Sequence, residues 1–224
     1  MPPYEPAQVP AGTSNAARRA RLEGLYAIVG GPGLVEHADA AIDGGARVVQ
    51  IRWKDAPAGA VLDAARRVVA LAAGRALVIV NDRANLALLC GADGVHVGDD
   101  DLPVEEARRL LGPERLVGRT CRTFEEAKQA IAAGADHVGF GPMFETRSKE
   151  VGVPPRPLAA LREVTAGLGA PVVAIGGITL ETIGGIAAAG AACAAVIGDL
   201  FSHGDPRARA RLLAAAFEEG RALR

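Results

Sequence analysis

Aromatic side chains are scarce in this chain, with one Trp, two Tyr and five Phe among 224 residues. A core built with so few of them has to close on Ala, Val, Leu, Ile and Gly, which suits helices packed tightly on a buried parallel sheet. Cysteine is scarcer still. Cys90, Cys121 and Cys193 are odd in number, widely spaced and set in apolar contexts, which excludes a disulfide framework and a zinc motif and leaves reduced packing residues. The four histidines, His37, His96, His137 and His203, have no metal-ligand spacing. No apolar run reaches the ~18 residues of a membrane span, and the N-terminus lacks a secretory layout, so the expected location is cytoplasmic with no membrane partner. A formal net charge of −1 without a basic block leaves no electrostatic footprint for nucleic acid.

What is present is a repeat. From Gly24 onward, short Val/Ile/Leu-rich runs alternate eight times with Ala-rich helical patterns. The expected strands are 25–29, 48–53, 76–80, 94–97, 116–120, 137–141, 172–176 and 194–197, each followed by a helical segment. The phrases Asp43-Gly44-Gly45-Ala46, Cys90-Gly91-Ala92-Asp93, Ala133-Gly134-Ala135-Asp136 and Ala189-Gly190-Ala191 each close a helix and open a strand. Eight βα units imply an α/β fold, a (β/α)8 TIM barrel, as a single domain over residues 23–224. Residues 1–22, rich in Pro, Ala and Arg, read as a flexible N-terminal arm that ends in a short helix through Asn15 to Leu22. An open doubly wound sheet is disfavoured, because Gly30-Gly31-Pro32-Gly33 lacks dinucleotide-binding spacing after the first strand.

Barrel active sites lie where strands end and βα loops begin. Along Gln50-Ile51-Arg52-Trp53-Lys54 the alternation turns Gln50, Arg52 and Lys54 to one face and Ile51 and Trp53 to the other. Asp82 and Asp101 each follow an apolar run. Two carboxylates on adjacent strand ends suit Mg²⁺, which completes its shell with water and substrate phosphate oxygens; each also reads as an ordinary cap or turn aspartate. Arg52, Lys54 and Lys149 supply positive charge and Asn81 a neutral donor where a pyrophosphate can lie, although surface ion pairs would use the same residues. Gly176-Gly177 and Ile197-Gly198 stand where barrels commonly take a phosphate on backbone N–H groups. The loop from Pro142 to Pro155 carries Thr146, Arg147, Ser148 and Lys149 and is long enough to close as a lid.

Taken in order, Gln50-Ile51-Arg52-Trp53-Lys54, Val80-Asn81-Asp82-Arg83, His96-Val97-Gly98 with Asp101-Leu102-Pro103, Gly141-Pro142 with Thr146-Arg147-Ser148-Lys149, and Ile175-Gly176-Gly177-Ile178 resemble the thiamine-phosphate synthase family. The resemblance runs from about Gly24 to the C-terminus. It implies a transferase of thiamine biosynthesis that condenses 4-amino-2-methyl-5-(diphosphooxymethyl)pyrimidine with 4-methyl-5-(2-phosphooxyethyl)thiazole, giving thiamine phosphate and pyrophosphate. By matching position, Asp82 and Asp101 would hold one Mg²⁺ per subunit. Arg52, Lys54 and Lys149 would carry the catalysis by binding pyrophosphate with Asn81. Gln50, Ile51, Trp53 and Thr120 would serve the pyrimidine diphosphate, and Thr146, Arg147, Ser148, Gly177, Ile197 and Gly198 the thiazole phosphate. A homo-oligomer is compatible with the resemblance. The chain departs from the family pattern at Trp53, Asp99, Thr120, Arg122 and Gly198. Two other readings stay open, a thiazole tautomerase-like enzyme and a non-catalytic phosphate-binding regulatory barrel.

Overall fold

The computed structural model describes residues 13–146 and 154–224. In it the eight apolar runs form β1 (Gly24–Val29), β2 (Val48–Ile51), β3 (Leu77–Asn81), β4 (Gly94–Val97), β5 (Leu116–Cys121), β6 (His137–Phe140), β7 (Val172–Ile175) and β8 (Cys193–Val196). Every neighbouring pair is parallel, and β8 returns to β1 to close the barrel. The helices are α1 (Asn15–Ala20), α2 (Leu34–Asp43), α3 (Ala58–Ala72), α4 (Ala84–Cys90), α5 (Val104–Leu111), α6 (Phe124–Ala132), α7 (Leu158–Gly167), α8 (Leu180–Ala188), α9 (Gly198–Phe201) and α10 (Pro206–Arg221). Among the described residues no helix is long and apolar enough to cross a membrane.

Strand alternation divides the core in two. Outward residues such as Ala27, Val49, Val78, Val95, Val117, Val138, Ala174 and Val196 meet the helices in one large cluster. Inward residues such as Tyr26, Ile28, Val48, Leu77, Ile79, Leu116, Val173 and Ala195 fill the barrel. On β4 to β6 the filling changes from aliphatic side chains to two imidazoles, His96 and His137, with ring centroids 5.6 Å apart. Glycine makes the room: a Cβ on Gly118 would lie 2.2 Å from His137 Nε2 and 2.6 Å from His96 Nδ1.

Local signals set the helix starts. Asp205 caps α10, accepting from the N–H groups of Arg207 and Ala208, with Pro206 in the first turn, where its missing N–H costs nothing. Thr123 caps α6, and Thr179 with Thr182 forms a reciprocal capping box on α8. From Thr13 on, the arm is docked at the N-terminal end of the barrel. Arg18 is 1% exposed, with its Nε 2.9 Å from Asp93 Oδ1, and Leu22 joins the interior cluster.

Two differences from the sequence expectation concern the rim. β2 ends at Ile51 rather than Trp53, although Arg52 N still donates to Val29 O at 2.7 Å. The single-turn helix α9 was not expected, because four residues are too few to show a helical period.

Candidate active site

Gln50, Arg52, Asn81, Thr120, Thr146, Gly177, Ile197 and Gly198 line one cavity of about 420 Å³ at the C-terminal mouth of the barrel. Its floor is apolar, made by Tyr26, Ile28, Val173, Ile175 and Ala195 from β1, β7 and β8. Sequence reasoning did not single these out, since on their own strands they look like ordinary core residues. Ile51 and Trp53 point the other way, into the packing layer beneath the helices, which leaves them only main-chain groups to offer a ligand. Arg147, Ser148 and Lys149 lie outside the described residues.

Inside the cavity Gln50 is 4% exposed and its Nε2 donates to the Tyr26 hydroxyl at 3.0 Å. Burial pushes the Tyr26 pKa above its ordinary value, so the phenol stays neutral. Thr120 Oγ1 lies 3.0 Å from His96 Nε2, which fixes the hydroxyl at the edge of the pocket.

Asp82 sits just past β3 with φ of 64°, a left-handed conformation that aspartate tolerates better than most residues. Its N–H donates to His96 O at 2.8 Å, continuing the ladder between β3 and β4 for one residue. Its carboxylate is 3.1 Å from Lys54 Nζ. Burial holds the Asp82 carboxyl above the usual carboxylate range, and the nearby Asp101 carboxyl adds to the rise against the lowering effect of Lys54. Asp101 is steadied by Gly98, whose N–H donates to Oδ2 at 2.6 Å. Among the described residues no group of three or more His, Cys, Asp or Glu side chains is placed to hold a metal. Two neighbouring carboxylates, with Asp101 raising the proton affinity of Asp82, nevertheless fit a hard divalent cation that takes its remaining ligands from water and phosphate. The proximity that penalises both being ionised is what such a cation relieves.

The loops that carry these groups are tied to one another. Arg83 donates to Lys54 O at 2.9 Å and to Ala56 O at 3.1 and 3.2 Å, fixing the loop after β2 over the start of α4. Met143 N and Phe144 N donate to Ile175 O and Gly176 O, both at 2.9 Å, which brings the described start of the sixth loop beside β7. Gly177 permits this: its φ is +63°, and a Cβ there would lie 2.2 Å from Glu145 O.

The two charged departures at the rim prove to be partners. Asp99 Oδ1 accepts from Arg119 Nη2 at 2.8 Å, while Oδ2 accepts from Arg122. The Arg122 contact, with Arg119 beside it, holds the Asp99 carboxyl below its ordinary range. Arg122 also lines the cavity.

The thiamine monophosphate synthase family model matches residues 25–200. A thiamine-phosphate synthase of Anaeromyxobacter dehalogenans is 67% identical over 210 residues, covering 94% of this chain and 95% of the relative. One from Myxococcus xanthus is 52% identical over 189 residues, 84% of this chain and 87% of the relative. Among solved structures, a thiamine phosphate pyrophosphorylase from Pyrococcus furiosus superposes with a TM-score of 0.83 at 32% identity, covering 91% of this chain and 98% of that one. A family model matched over most of the barrel, relatives of 67% and 52% identity and a solved structure of the same fold at 32% identity have one explanation: the chain belongs to the thiamine monophosphate synthase family and is an enzyme of that kind.

Proposed function

We propose that the enzyme joins 4-amino-2-methyl-5-(diphosphooxymethyl)pyrimidine to 4-methyl-5-(2-phosphooxyethyl)thiazole, releasing pyrophosphate, by a Mg²⁺-dependent dissociative substitution. The observation that carries this reading is one cavity flanked by two unlike polar sets. Arg52, Asn81 and Thr120 stand on the side of β2 to β5, and Gly177, Ile197 and Gly198 on the side of β7 and β8, above an apolar floor. A flat heteroaromatic ring suits that floor, and the two sets can take one phosphorylated substrate each.

In this reading Gln50, with its Nε2 committed to Tyr26, has Oε1 left to accept from the exocyclic amino group of the pyrimidine. Thr120 adds a hydroxyl beside it. The C–O bond to the diphosphate breaks first and its electron pair leaves with pyrophosphate. Arg52, Lys54 and Lys149 meet the charge that grows there, favouring the transition state over the bound substrate. Asp82 and Asp101 would hold one Mg²⁺ per subunit, which when bound supplies further neutralisation of the leaving group. The thiazole nitrogen then gives its lone pair to the pyrimidine-methyl cation. Since that nitrogen carries no proton, no general base is needed, which accords with a cavity in which His96 is bonded to Thr120. Thr146, Arg147, Ser148 and the main-chain N–H groups of Gly177, Ile197 and Gly198 would hold the thiazole phosphate.

Mixing the purified enzyme with both substrates, with and without Mg²⁺, and following phosphorus NMR tests the reading. Equal, magnesium-dependent formation of thiamine phosphate and pyrophosphate is expected. Folded protein that forms neither overturns it.

A further inference from the structure

Asp199 is an awkward residue for its position. It follows Gly198 directly, lines the cavity, and puts a carboxylate on the turn whose N–H groups would form part of the thiazole phosphate subsite. A carboxylate beside a phosphate opposes binding, and in a shielded site the opposition is stronger than in water. Asp199 is not left alone, however. Arg209, one turn into α10, holds it with a two-pronged contact, Nε to Oδ2 at 3.0 Å and Nη2 to Oδ1 at 2.7 Å. Both side chains are nearly buried, at 13% and 7% exposure. His203 Nε2 lies 3.2 Å from Oδ1 on the solvent side, and Glu181 of α8 adds a second carboxylate within electrostatic range of Arg209.

We infer that Arg209 is a positioning residue for the phosphate subsite: it neutralises Asp199 and draws the carboxylate toward α10, so that the turn 197–199 presents N–H groups rather than negative charge. Arg209 does not line the cavity and touches no substrate in this scheme; it acts through Asp199. The fork geometry matters, because Arg209 occupies both carboxylate oxygens at once, where a lysine would occupy one. Gly198 and Asp199 thus form a unit with Arg209, ten positions beyond Asp199, and the tolerance of an acid at this rim depends on the last helix of the barrel. The inference rests on the reading of Gly177, Ile197 and Gly198 as the phosphate subsite.

Steady-state kinetics of the full chain test it, with each substrate varied in turn. Arg209→Gln is expected to raise KM for the thiazole phosphate roughly tenfold, the scale of one exposed like charge, while kcat and KM for the pyrimidine diphosphate stay within about threefold. The double variant Asp199→Asn with Arg209→Gln is expected to return KM toward the starting value, because the repulsive group is gone. A double variant that remains as impaired as Arg209→Gln, or a parallel loss in kcat and both KM values, overturns the inference in favour of a purely structural tie. If Arg209→Gln does not fold, Asp199→Asn alone decides. It leaves Arg209 uncompensated and is expected to lower KM for the thiazole phosphate, and an unchanged or raised value overturns the inference. Thr146→Ala, which trims a cavity-lining side chain assigned to the same phosphate without adding a Cβ against the backbone, separates this from the subsite reading. If it raises KM for the thiazole phosphate and Arg209→Gln does not, only the role of Arg209 falls; if neither does, the subsite is misassigned and the inference falls with it.

Discussion

Lys54 Nζ lies 3.1 Å from Asp82 Oδ2, so a side chain proposed to bind pyrophosphate is paired with one proposed to bind its counter-cation. The pair is partly open, with Lys54 47% exposed, and its strength is correspondingly modest. It nonetheless keeps Lys54 over the rim and offsets part of the rise in the Asp82 carboxyl. Substrate and cation together would exchange this contact for two stronger ones, Lys54 to phosphate oxygen and Asp82 to metal.

Asp82→Ala, Lys54→Ala and Lys149→Ala are each expected to lower turnover by roughly 10²-fold or more, on the scale for losing one electrostatic stabiliser. Asp82→Ala should also shift the Mg²⁺ dependence to higher concentration, whereas Lys54→Ala should not. Rates with a magnesium titration check this, after circular dichroism has established folding. Near-normal turnover would remove these residues from the proposed machinery.

Asp99, Arg119 and Arg122 form the second prediction. Asp99 bridges the loop after β4, which carries Asp101, to β5, which carries Thr120. Asp99→Gln or Arg122→His alone leaves unbalanced charge at the rim and is expected to cost about 1 kcal/mol of stability, while the double change should cost less than the sum. Urea denaturation of the four proteins measures the coupling. The sign with pH follows from the lowered Asp99 carboxyl: its contribution is present above the ordinary carboxylate range and is lost as pH falls through the depressed value. Strict additivity would mean that the two departures are independent.

The third prediction concerns the opposite end of the barrel. Arg18 is buried against Asp93, which also accepts from Val78 N at 2.9 Å. Arg18→Met leaves a half-shielded carboxylate without its cation. We expect a loss of about 2 kcal/mol or more, below the full cost of an unpaired buried charge because Asp93 retains some solvent. Turnover should stay within about twofold, since the substrate mouth is at the other end. A variant with unchanged urea midpoint would show that α1 contributes no stability.

The fold was readable because eight βα units repeat and each strand announces itself by branched apolar residues. The rim was readable because polar residues interrupt those runs at their C-terminal ends. What could not be read was every relation across strands. Gln50 looked like a ligand contact, but its bond to Tyr26 depends on β1 and β2 lying in a particular register. Asp99 and Arg122 stood out separately as unusual residues, and only the adjacency of β4 and β5 makes them a pair. Asp199 and Arg209 lie on either side of a turn that no period reveals. The space that His96 shares with His137 comes from Gly118 and Gly139 on neighbouring strands, which no single strand's pattern displays.

His137 provides the last prediction. It is fully buried in the barrel, neither ring nitrogen has a hydrogen-bond partner among the described residues, and burial pushes its pKa down to about 4 from 6.5. The folded protein therefore keeps the ring neutral at pH values where the unfolded chain would protonate it. Below pH 6.5 the unfolded state binds the extra proton, so stability falls as pH is lowered, and the loss is complete near pH 4, where the folded state also takes it up. Integrated over that window the penalty is about 3 kcal/mol at most, since a tenfold change in proton affinity is worth ~1.4 kcal/mol. His137→Phe fills nearly the same volume without a titrating group. Its urea midpoint should fall less than that of the unaltered protein between pH 6.5 and 4, while the two respond alike above pH 7. Parallel pH profiles in the two proteins would mean that acid sensitivity arises elsewhere, and that the imidazole is accommodated in the barrel at no cost to folding.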